Sequence, residues 1–303
     1  MPTQTSDSAD AHRLGAEWHQ AMAAGDFGRA WAASDCLLQL RAPAERDDPA
    51  LPYHLRWVWD GRAFDGRRVL VRCYHGLGDT IQFSRYLPAL RRRVGHLTLE
   101  APPALIAVLA GIEGPDLVVP FRPEAPAPPA DVDLEIMELA HALRLAPLPV
   151  PYLAAPARPA GGRLQVGICG RTESTWRPER SVPPEALAPL AAVPGLDLHS
   201  LQRDACPPDL ADTARRIAGL DLVVTVDTMI AHLAGALGTP VWLLLMAEPD
   251  WRWLAGGRAS PWYGGVRKYR QRQPGHWHEP VAALTADLTR AAAAGTLAAG
   301  LGS

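Results

Sequence analysis

The stretch Asp221-Leu-Val-Val-Thr-Val-Asp-Thr-Met-Ile-Ala-His-Leu-Ala-Gly-Ala-Leu-Gly-Thr-Pro-Val-Trp242 decides the fold. It opens on an apolar, β-branched run, which is typical of a buried strand. An Asp-Thr pair then begins a helical run, and Gly238-Thr-Pro240 ends that helix before a second apolar strand. A strand, a helix and another strand in this order indicate a parallel sheet with a crossover helix.

The same alternation of strands and helices runs along most of the chain in two series. The first series has predicted strands at 68–74, 96–100, 116–119 and 132–136, with helices at 79–93 and near 103–110. The second has predicted strands at 164–169, 196–201, 221–226 and 241–246. Each series predicts a Rossmann-like lobe, and two such lobes in tandem leave a cleft between them. A last helix at about 279–294 is expected to pack back across the first lobe.

The domain organisation follows from these two series and from changes in composition. Residues 1–50 contain two helical stretches around Gly25-Asp26, a hairpin whose spacing resembles one tetratricopeptide-type unit. The proline-rich stretch 147–162 is expected to link the two lobes. We therefore predict a tetratricopeptide-like helical hairpin at 1–50, a first lobe at 51–155 and a second lobe with the returning helix at 156–303.

Composition excludes several classes of partner. The 303 residues are 48% hydrophobic, and the formal net charge of −2 gives no basic field that would attract nucleic acid or an anionic membrane. The amino terminus is polar, and the apolar run 240–247 is too short to span a bilayer. The four cysteines form no C-x-x-C pair: Cys36, Cys73, Cys169 and Cys206. Unpaired thiols fit a reducing compartment, so we expect a cytoplasmic protein without an integral membrane segment or a nucleic-acid partner.

The first candidate site is His75-Gly-Leu-Gly-Asp-Thr-Ile-Gln-Phe83, where the first predicted strand turns into its helix. In open α/β sheets this turn borders the ligand crevice. Gly76 and Gly78 allow a sharp turn and close approach of a substrate, and Asp79 begins the helix. The alternative is that Asp79 is only an N-cap residue. The loop lacks the third glycine of G-x-G-x-x-G, and Asp79 would repel a pyrophosphate, so no nicotinamide or flavin cofactor is expected.

The second candidate site is the start of the helix within the opening stretch. His232 follows Thr228 by four residues, which places both on the same helix face. The free amides of the helix start, the Thr228 hydroxyl and the His232 imidazole would converge on a phosphate, which the helix dipole also favours. The alternative is that Asp227 caps the helix and His232 is a half-buried helix residue.

Both segments, in this order and at this separation, resemble glycosyltransferase family 9, the heptosyltransferases, and specifically its bacterial members fused to tetratricopeptide repeats. The resemblance covers about 57–294 and is densest in Gly76-Leu-Gly-Asp-Thr-Ile-Gln-Phe83, in 220–245, and in Pro249-Asp-Trp-Arg-Trp253 with Ser260-Pro-Trp-Tyr263. It implies an α/β fold of the GT-B type. The first lobe would take a glycan or protein hydroxyl acceptor, and the second would hold a nucleotide-diphosphate sugar donor. It also implies inverting transfer with neither a cofactor nor a metal.

The resemblance assigns roles by position. Asp79 matches the base that accepts the proton of the acceptor hydroxyl, in an acceptor loop that contains Gly76, Gly78, Thr80 and Gln82. The residues matched to the donor diphosphate are Asp227, Thr228, Met229 and His232, with Thr172, Arg180 and Gln202 from preceding segments. Arg180 is the preferred match for the basic residue on the phosphates, and Arg177 is second.

Some features depart from the resemblance and leave other functions open. The stretch between Gln202 and Leu210 is short, and the turn at 167–174 differs from the family's, so the donor is not identified. A degenerate protein that binds a nucleotide or a partner without catalysis, a sugar-nucleotide epimerase and a scaffold remain alternatives. His276, His278 and Glu279 are more typical of a solvated turn than of a metal site. An aromatic group is assigned to packing of the C-terminal segment against the second lobe: Trp251, Trp253, Trp262 and Tyr263.

Overall fold

The computed structural model of the chain describes residues 4–154, 162–205, 209–295 and 297. The chain forms two compact units. The first comprises Met1–Pro147 and the later segment Asp250–Gly256, and the second comprises Leu148–Pro249 and Gly257–Ser303. The change of unit at Leu148 falls within the predicted linker, of which residues 155–161 lie outside the described part. The finer division of the first unit at residue 50 stays a prediction.

The first unit consists of two helices followed by a parallel α/β sheet. Its helices and strands are α1 (Gln4–Ala24), α2 (Phe27–Leu40), β1 (Arg68–Arg72), α3 (Leu77–Ser84), α4 (Leu87–Arg91), β2 (His96–Ala101), α5 (Ile106–Leu109), β3 (Leu117–Pro120), β4 (Val132–Glu135) and α6 (Leu139–Leu143). The four strands are parallel, in the order β3-β2-β1-β4. Central strand β1 is buried from Val69 to Val71, as is typical of a parallel sheet whose two faces are both covered.

One predicted helix of the first unit is divided in two. The stretch 79–93 was expected to be continuous, whereas α3 ends at Ser84 and α4 begins at Leu87. Pro88 lies in the first turn of α4. Since proline has no backbone N–H to donate, it is tolerated at a helix start and not inside a helix. The break therefore follows from Pro88.

The second unit is a five-stranded parallel sheet with helices. Its elements are β5 (Leu164–Cys169), α7 (Pro184–Leu187), β6 (Leu196–Ser200), α8 (Leu210–Ala218), β7 (Leu222–Val226), α9 (Met229–Leu237), β8 (Val241–Leu245), β9 (Val266–Arg270) and α10 (His278–Ala294). The strand order is β6-β5-β7-β8-β9. Helix α9 ends at Gly238, whose φ of 81° is the left-handed conformation that favours glycine at a helix end. All eight predicted strands are present, and β9 is an additional one.

The position of the last helix differs from the expectation. Helix α10 was expected to pack across the first lobe, but its apolar residues Val281, Leu284 and Leu288 belong to the core of the second unit. They pack in that core with Leu222 and Val224 of β7. The helix therefore covers one face of the second sheet, because that face is apolar and would otherwise be exposed.

Two further properties concern the hydropathy of the helices and the thiols. None of the helices within the described residues is long and apolar enough to cross a membrane. Cys73 and Cys169 are buried free thiols, and Cys36 is an exposed one. Cys206 lies outside the described residues.

Candidate functional site

The predicted acceptor loop forms the turn from β1 into α3. Gly76 is the N-cap residue of α3, and Asp79 is the third residue of its first turn. The backbone N–H of Gly76 donates to Oδ2 of Asp79 at 3.1 Å, so the side chain reaches back over the helix start. Asp79 therefore supports the cap from inside the helix and is not itself the N-cap residue. Gly78 is the second residue of α3.

Asp79 forms an ion pair with an arginine that the sequence analysis did not select. Nη2 of Arg252 donates to Oδ1 of Asp79 at 2.6 Å. Arg252 lies in a short 3-10 helix, Trp251–Trp253, within the part of the later segment that belongs to the first unit. Its Nε donates to Oε1 of Gln82 at 2.9 Å, and its Nη1 donates to Oδ1 of Asp250 at 2.8 Å. Arg252 thus joins two predicted loop residues, Asp79 and Gln82, to a second carboxylate.

The signal for Arg252 was present in the sequence but pointed to packing. The run Pro249–Trp253 was one of the three densest parts of the resemblance, and its tryptophans were assigned to the second lobe. The structure instead groups Trp251 and Trp253 with the first unit, whereas Trp262 and Tyr263 belong to the second. Sequence alone does not reveal this because Arg252 is separated from Asp79 by most of the second unit.

The same loop carries a histidine backed by a buried carboxylate. Nδ1 of His75 lies 3.0 Å from Oε1 of Glu135, the last residue of β4. Burial lowers the pKa of His75, but the hydrogen bond and the charge of Glu135, with a further contribution from Asp79, raise it above its ordinary value. The charge of Arg252 opposes this rise in the pKa of His75. His75 and Glu135 were not among the predicted site residues.

A second carboxylate lies behind Glu135. Glu138 accepts hydrogen bonds from the backbone N–H groups of Val58, Trp59 and Glu135, at 3.3, 3.0 and 2.8 Å. Burial raises the pKa of Glu138 to about 7, although the backbone donors favour its charged form. The first unit therefore contains two neighbouring carboxylates, Glu135 and Glu138. Both are engaged by backbone amides, as expected for groups that stabilise a loop.

Thr80 and Gln82 are fully buried in α3. Of the two, Gln82 accepts the hydrogen bond from Arg252 described above. The acceptor loop therefore contains an exposed Gly76 and partly exposed His75, Gly78 and Asp79, whereas Thr80 and Gln82 lie in the buried part of α3.

The predicted phosphate site of the second unit lies where β7 turns into α9. Asp227 directly follows β7, and Oδ2 of this residue accepts a hydrogen bond from Nη1 of Arg180 at 3.2 Å. Arg177, the second match, instead pairs with Glu179 at 2.8 Å and donates to the carbonyl oxygen of Glu248. The structure therefore brings Arg180, and not Arg177, to Asp227.

Thr228 is the N-cap residue of α9, and Met229 is the first residue of the helix. The Thr228 side chain makes no cap hydrogen bond; its Oγ1 lies 3.3 Å from Oγ1 of Thr225. A hydroxyl beside the start of a nine-residue helix suits an anion, because the first amides of a helix have no partner within it. Cys169, at the end of β5, lies 4.0 Å from the same hydroxyl.

His232 is held inside the second unit. It is 4% exposed, and its Nδ1 lies 3.0 Å from the hydroxyl of Tyr263. Gly235 makes this possible, because a Cβ at that position would lie 2.5 Å from the Tyr263 ring. Tyr263 therefore orients the imidazole, whereas the sequence predicted only a packing role for this residue.

The two remaining predicted residues support the loop after β5. Thr172 accepts a hydrogen bond from the Ser174 N–H at 3.1 Å and donates its own N–H to Oγ of Ser181. The side-chain oxygen of Gln202, in the orientation that satisfies its neighbours, accepts from the N–H groups of Gly170 and Arg171 at 2.8 and 2.9 Å. These contacts shape the loop that carries Arg180.

The sequence predicts no metal site. Among the described residues, no group of three or more His, Cys, Asp or Glu side chains is placed to hold a metal ion. Glu279, one of the three candidates from the sequence, forms an ion pair with Arg272 at 3.0 Å.

Comparison with known proteins shows a similarity to one family within the second unit. Residues 198–247 match the family described as "Glycosyltransferase family 9 (heptosyltransferase)". This segment contains Asp227, Thr228 and His232. Protein FlbA of Caulobacter vibrioides is 24% identical over 89% of this chain and 53% of its own length. The chain therefore spans about half the length of this curated relative.

Solved structures resemble the chain in fold. The glycosyl transferase family 9 structure from Veillonella parvula DSM 2008 covers 70% of this chain and 88% of its own, at 13% identity and a TM-score of 0.50. The E. coli ADP-heptose lps heptosyltransferase II covers 73% and 99%, at 14% identity and a TM-score of 0.48. The first likeness, together with the two parallel sheets, confirms the predicted α/β fold of the GT-B type. At these identities the likeness concerns the fold alone.

Proposed function

We propose that the protein is a glycosyltransferase that transfers a sugar from a nucleotide-diphosphate donor to a hydroxyl group of a glycan or protein. One observation carries the proposal. The segment that matches the family, residues 198–247, contains the β7–α9 turn, and Arg180 converges on that turn from another loop. A guanidinium beside a helix start is an arrangement that suits a diphosphate.

The proposed reaction is inverting and independent of a metal. The acceptor oxygen forms a bond to the anomeric carbon, while the bond from that carbon to the phosphate oxygen breaks and the nucleoside diphosphate leaves. Asp79 accepts the proton of the acceptor hydroxyl. Arg180, Thr228, His232 and the first amides of α9 stabilise the charge on the departing diphosphate.

The test begins with binding. Thermal denaturation is measured with ADP, UDP and GDP, and with ADP-glucose, UDP-glucose, UDP-N-acetylglucosamine and GDP-mannose. A ligand at about 100 times its dissociation constant adds roughly 2.7 kcal/mol to the free energy of unfolding. Release of free nucleoside diphosphate from the sugar that stabilises the protein then measures turnover. A protein that is stabilised by none of these seven compounds and hydrolyses none of the sugars contradicts the proposal.

Two finer parts of the proposal have their own measurements. Proton NMR of the product reports whether the configuration of the anomeric carbon is inverted. Turnover in the presence of a chelator, before and after addition of Mg²⁺ or Mn²⁺, tests independence from a metal. Loss of activity with the chelator and its return with either ion would overturn that part.

A second candidate is a protein that binds a nucleotide or a partner without turnover. The short stretch after Gln202 favours it, because the resemblance implies a longer loop there that contacts the nucleoside. Residues 206–208 of this stretch lie outside the described part. Stabilisation by a nucleoside diphosphate without release of that diphosphate from any of the sugars is the outcome that this candidate expects.

A further inference from the structure

We infer that Arg252 is a positioning residue for the proposed reaction: it sets the orientation of the Asp79 carboxylate, and the helical hairpin α1–α2 holds Arg252 in place. This inference rests on the proposed function, since it gives Asp79 its role as proton acceptor. It adds two features to that role: a residue from a segment that is distant in sequence, and a function for helices α1 and α2.

The hydrogen bonds of Arg252 show how the carboxylate is fixed. Its Nη2 holds Oδ1 of Asp79 at 2.6 Å, while the backbone N–H of Gly76 holds Oδ2 at 3.1 Å. Two donors on two different oxygens fix both the position and the plane of the carboxylate. A carboxylate has about four acceptor sites, so Asp79 still has capacity for the hydroxyl of an acceptor.

Arg252 is itself immobilised from several directions. Its Nε and Nη1 donate to Gln82 and Asp250, and its guanidinium lies 4.2 Å from the centre of the Trp251 ring. The side chain is 11% exposed. A guanidinium with three hydrogen-bonded acceptors and one covered face has little freedom, so it can hold Asp79 in one orientation.

The helical hairpin α1–α2 contacts the segment that carries Arg252. Trp18 of α1 packs edge-on against Trp251, with ring centres 5.0 Å apart. The N–H of Ala255 donates to the carbonyl oxygen of Ala23 at 2.8 Å. These contacts attach segment 250–256 to the end of α1. The hairpin therefore acts on Asp79 through Trp251 and Arg252.

The experiment is a double-mutant cycle on turnover. Hydrolysis of the nucleotide sugar that the binding screen selects is measured for Asp79→Asn, Arg252→Gln and the double variant. We expect Arg252→Gln to lower kcat about 10- to 100-fold, because a misplacement of about 1 Å can cost that much, with KM for the donor nearly unchanged. The double variant should be no slower than Asp79→Asn alone, since Arg252 acts only through Asp79.

Two variants separate positioning from stability. Arg252→Lys keeps the charge and one contact, so it should recover part of the lost kcat, and it replaces Arg252→Gln in the cycle if that variant does not fold. Arg93→Gln removes an ion pair with Asp65 of 2.8 Å elsewhere in the first unit and should leave kcat unchanged. Trp18→Ala should lower kcat several-fold in the same direction as Arg252→Gln.

The outcomes also separate this inference from the proposed function. A folded protein that turns over none of the nucleotide sugars overturns both. An active protein in which Arg252→Gln leaves kcat within about threefold of its original value overturns the positioning role alone. Effects of Asp79→Asn and Arg252→Gln that multiply in the double variant also overturn it, because two independent contributions add in free energy.

Discussion

The two units each contain an aspartate paired with an arginine near the end of a parallel strand, but they expose opposite members of the pair. In the first unit the Asp79 side chain is 24% exposed and that of Arg252 is 11% exposed. In the second, Arg180 is 19% exposed and Asp227 is 10% exposed. The first pair therefore presents a carboxylate to its surroundings, and the second presents a guanidinium.

This difference connects the geometry of each unit with its proposed task. A partly exposed carboxylate held by a less exposed arginine is suited to accept a proton. A partly exposed arginine held by a buried aspartate is suited to bind a diphosphate, because a guanidinium has five N–H donors and Asp227 engages one of its nitrogens. Similar ion pairs thus support opposite chemistry, and variants of each pair should fail in different measurements.

The largest effect is expected for Asp79→Asn. Asparagine keeps the size of the side chain and an oxygen for the Gly76 N–H but cannot accept a proton, so turnover should fall by about 10² to 10⁴. The affinity for the nucleoside diphosphate, measured by calorimetric titration, should hardly change. Asp65→Asn, in an exposed ion pair with Arg93, is the control and should affect neither quantity. Loss of nucleotide binding in Asp79→Asn, or intact turnover, would show that Asp79 only supports the helix start.

Arg180→Ala should have a smaller effect, and on binding. Loss of a charged hydrogen bond to the diphosphate should weaken nucleotide binding by about 1.5 to 3 kcal/mol. Arg177→Ala is the matched control, because Arg177 is already engaged with Glu179 and Glu248 and should lose less affinity. Equal losses in the two variants, measured by calorimetric titration, would argue against Arg180 as the phosphate ligand.

These two pairs also differ in how far the sequence predicted them. Arg180 follows β5 and Asp227 follows β7, and these strands are neighbours in one parallel sheet, so the strand order brings both residues to the same edge. Arg252 reaches Asp79 from a segment that returns to the first unit after β8, and no local pattern encodes that return. The resemblance included the segment 249–253 but did not predict that its residues 250–253 pack with the first unit.

For the fold, the sequence predicted most of the strands and the last helix, but it missed one strand and did not specify where that helix packs. Apolar, β-branched runs identified the eight strands that the structure contains in those regions. Strand β9 was missed because Arg267, Lys268 and Arg270 interrupt its apolar pattern, which an edge strand tolerates. Helix α10 was recognised, but its apolar stripe does not specify which sheet it covers. Periodicity predicts an element, whereas its partner depends on contacts distant in sequence.

A third prediction concerns the close contact between Gly235 and Tyr263, the residue that holds His232. In Gly235→Ala the new methyl group would lie 2.5 Å from the Tyr263 ring, so overpacking should lower the free energy of unfolding by about 1 to 3 kcal/mol. The displaced tyrosine should also release His232. Gly15→Ala in α1 is the control, since nothing lies within 4 Å of that position, and it should stabilise the helix by about 0.5 to 1 kcal/mol. Urea unfolding measures both, and a neutral Gly235→Ala would contradict the assigned contact.

The smallest expected effect is a change in the titration of His75, and it tests the contact between His75 and Glu135 in the first unit. Burial lowers the pKa of His75, but the hydrogen bond and charge of Glu135 together with the charge of Asp79 outweigh it, so we expect an NMR titration to give a pKa above the ordinary value of His75. Glu135→Gln should bring the pKa of His75 below 6.5, since burial and Arg252 remain. The raised pKa implies stabilisation that is complete below about pH 6.5 and is lost as the pH rises through the folded value. His75→Gln assigns the resonance, and a midpoint that Glu135→Gln leaves unchanged would rule out the His75–Glu135 pair.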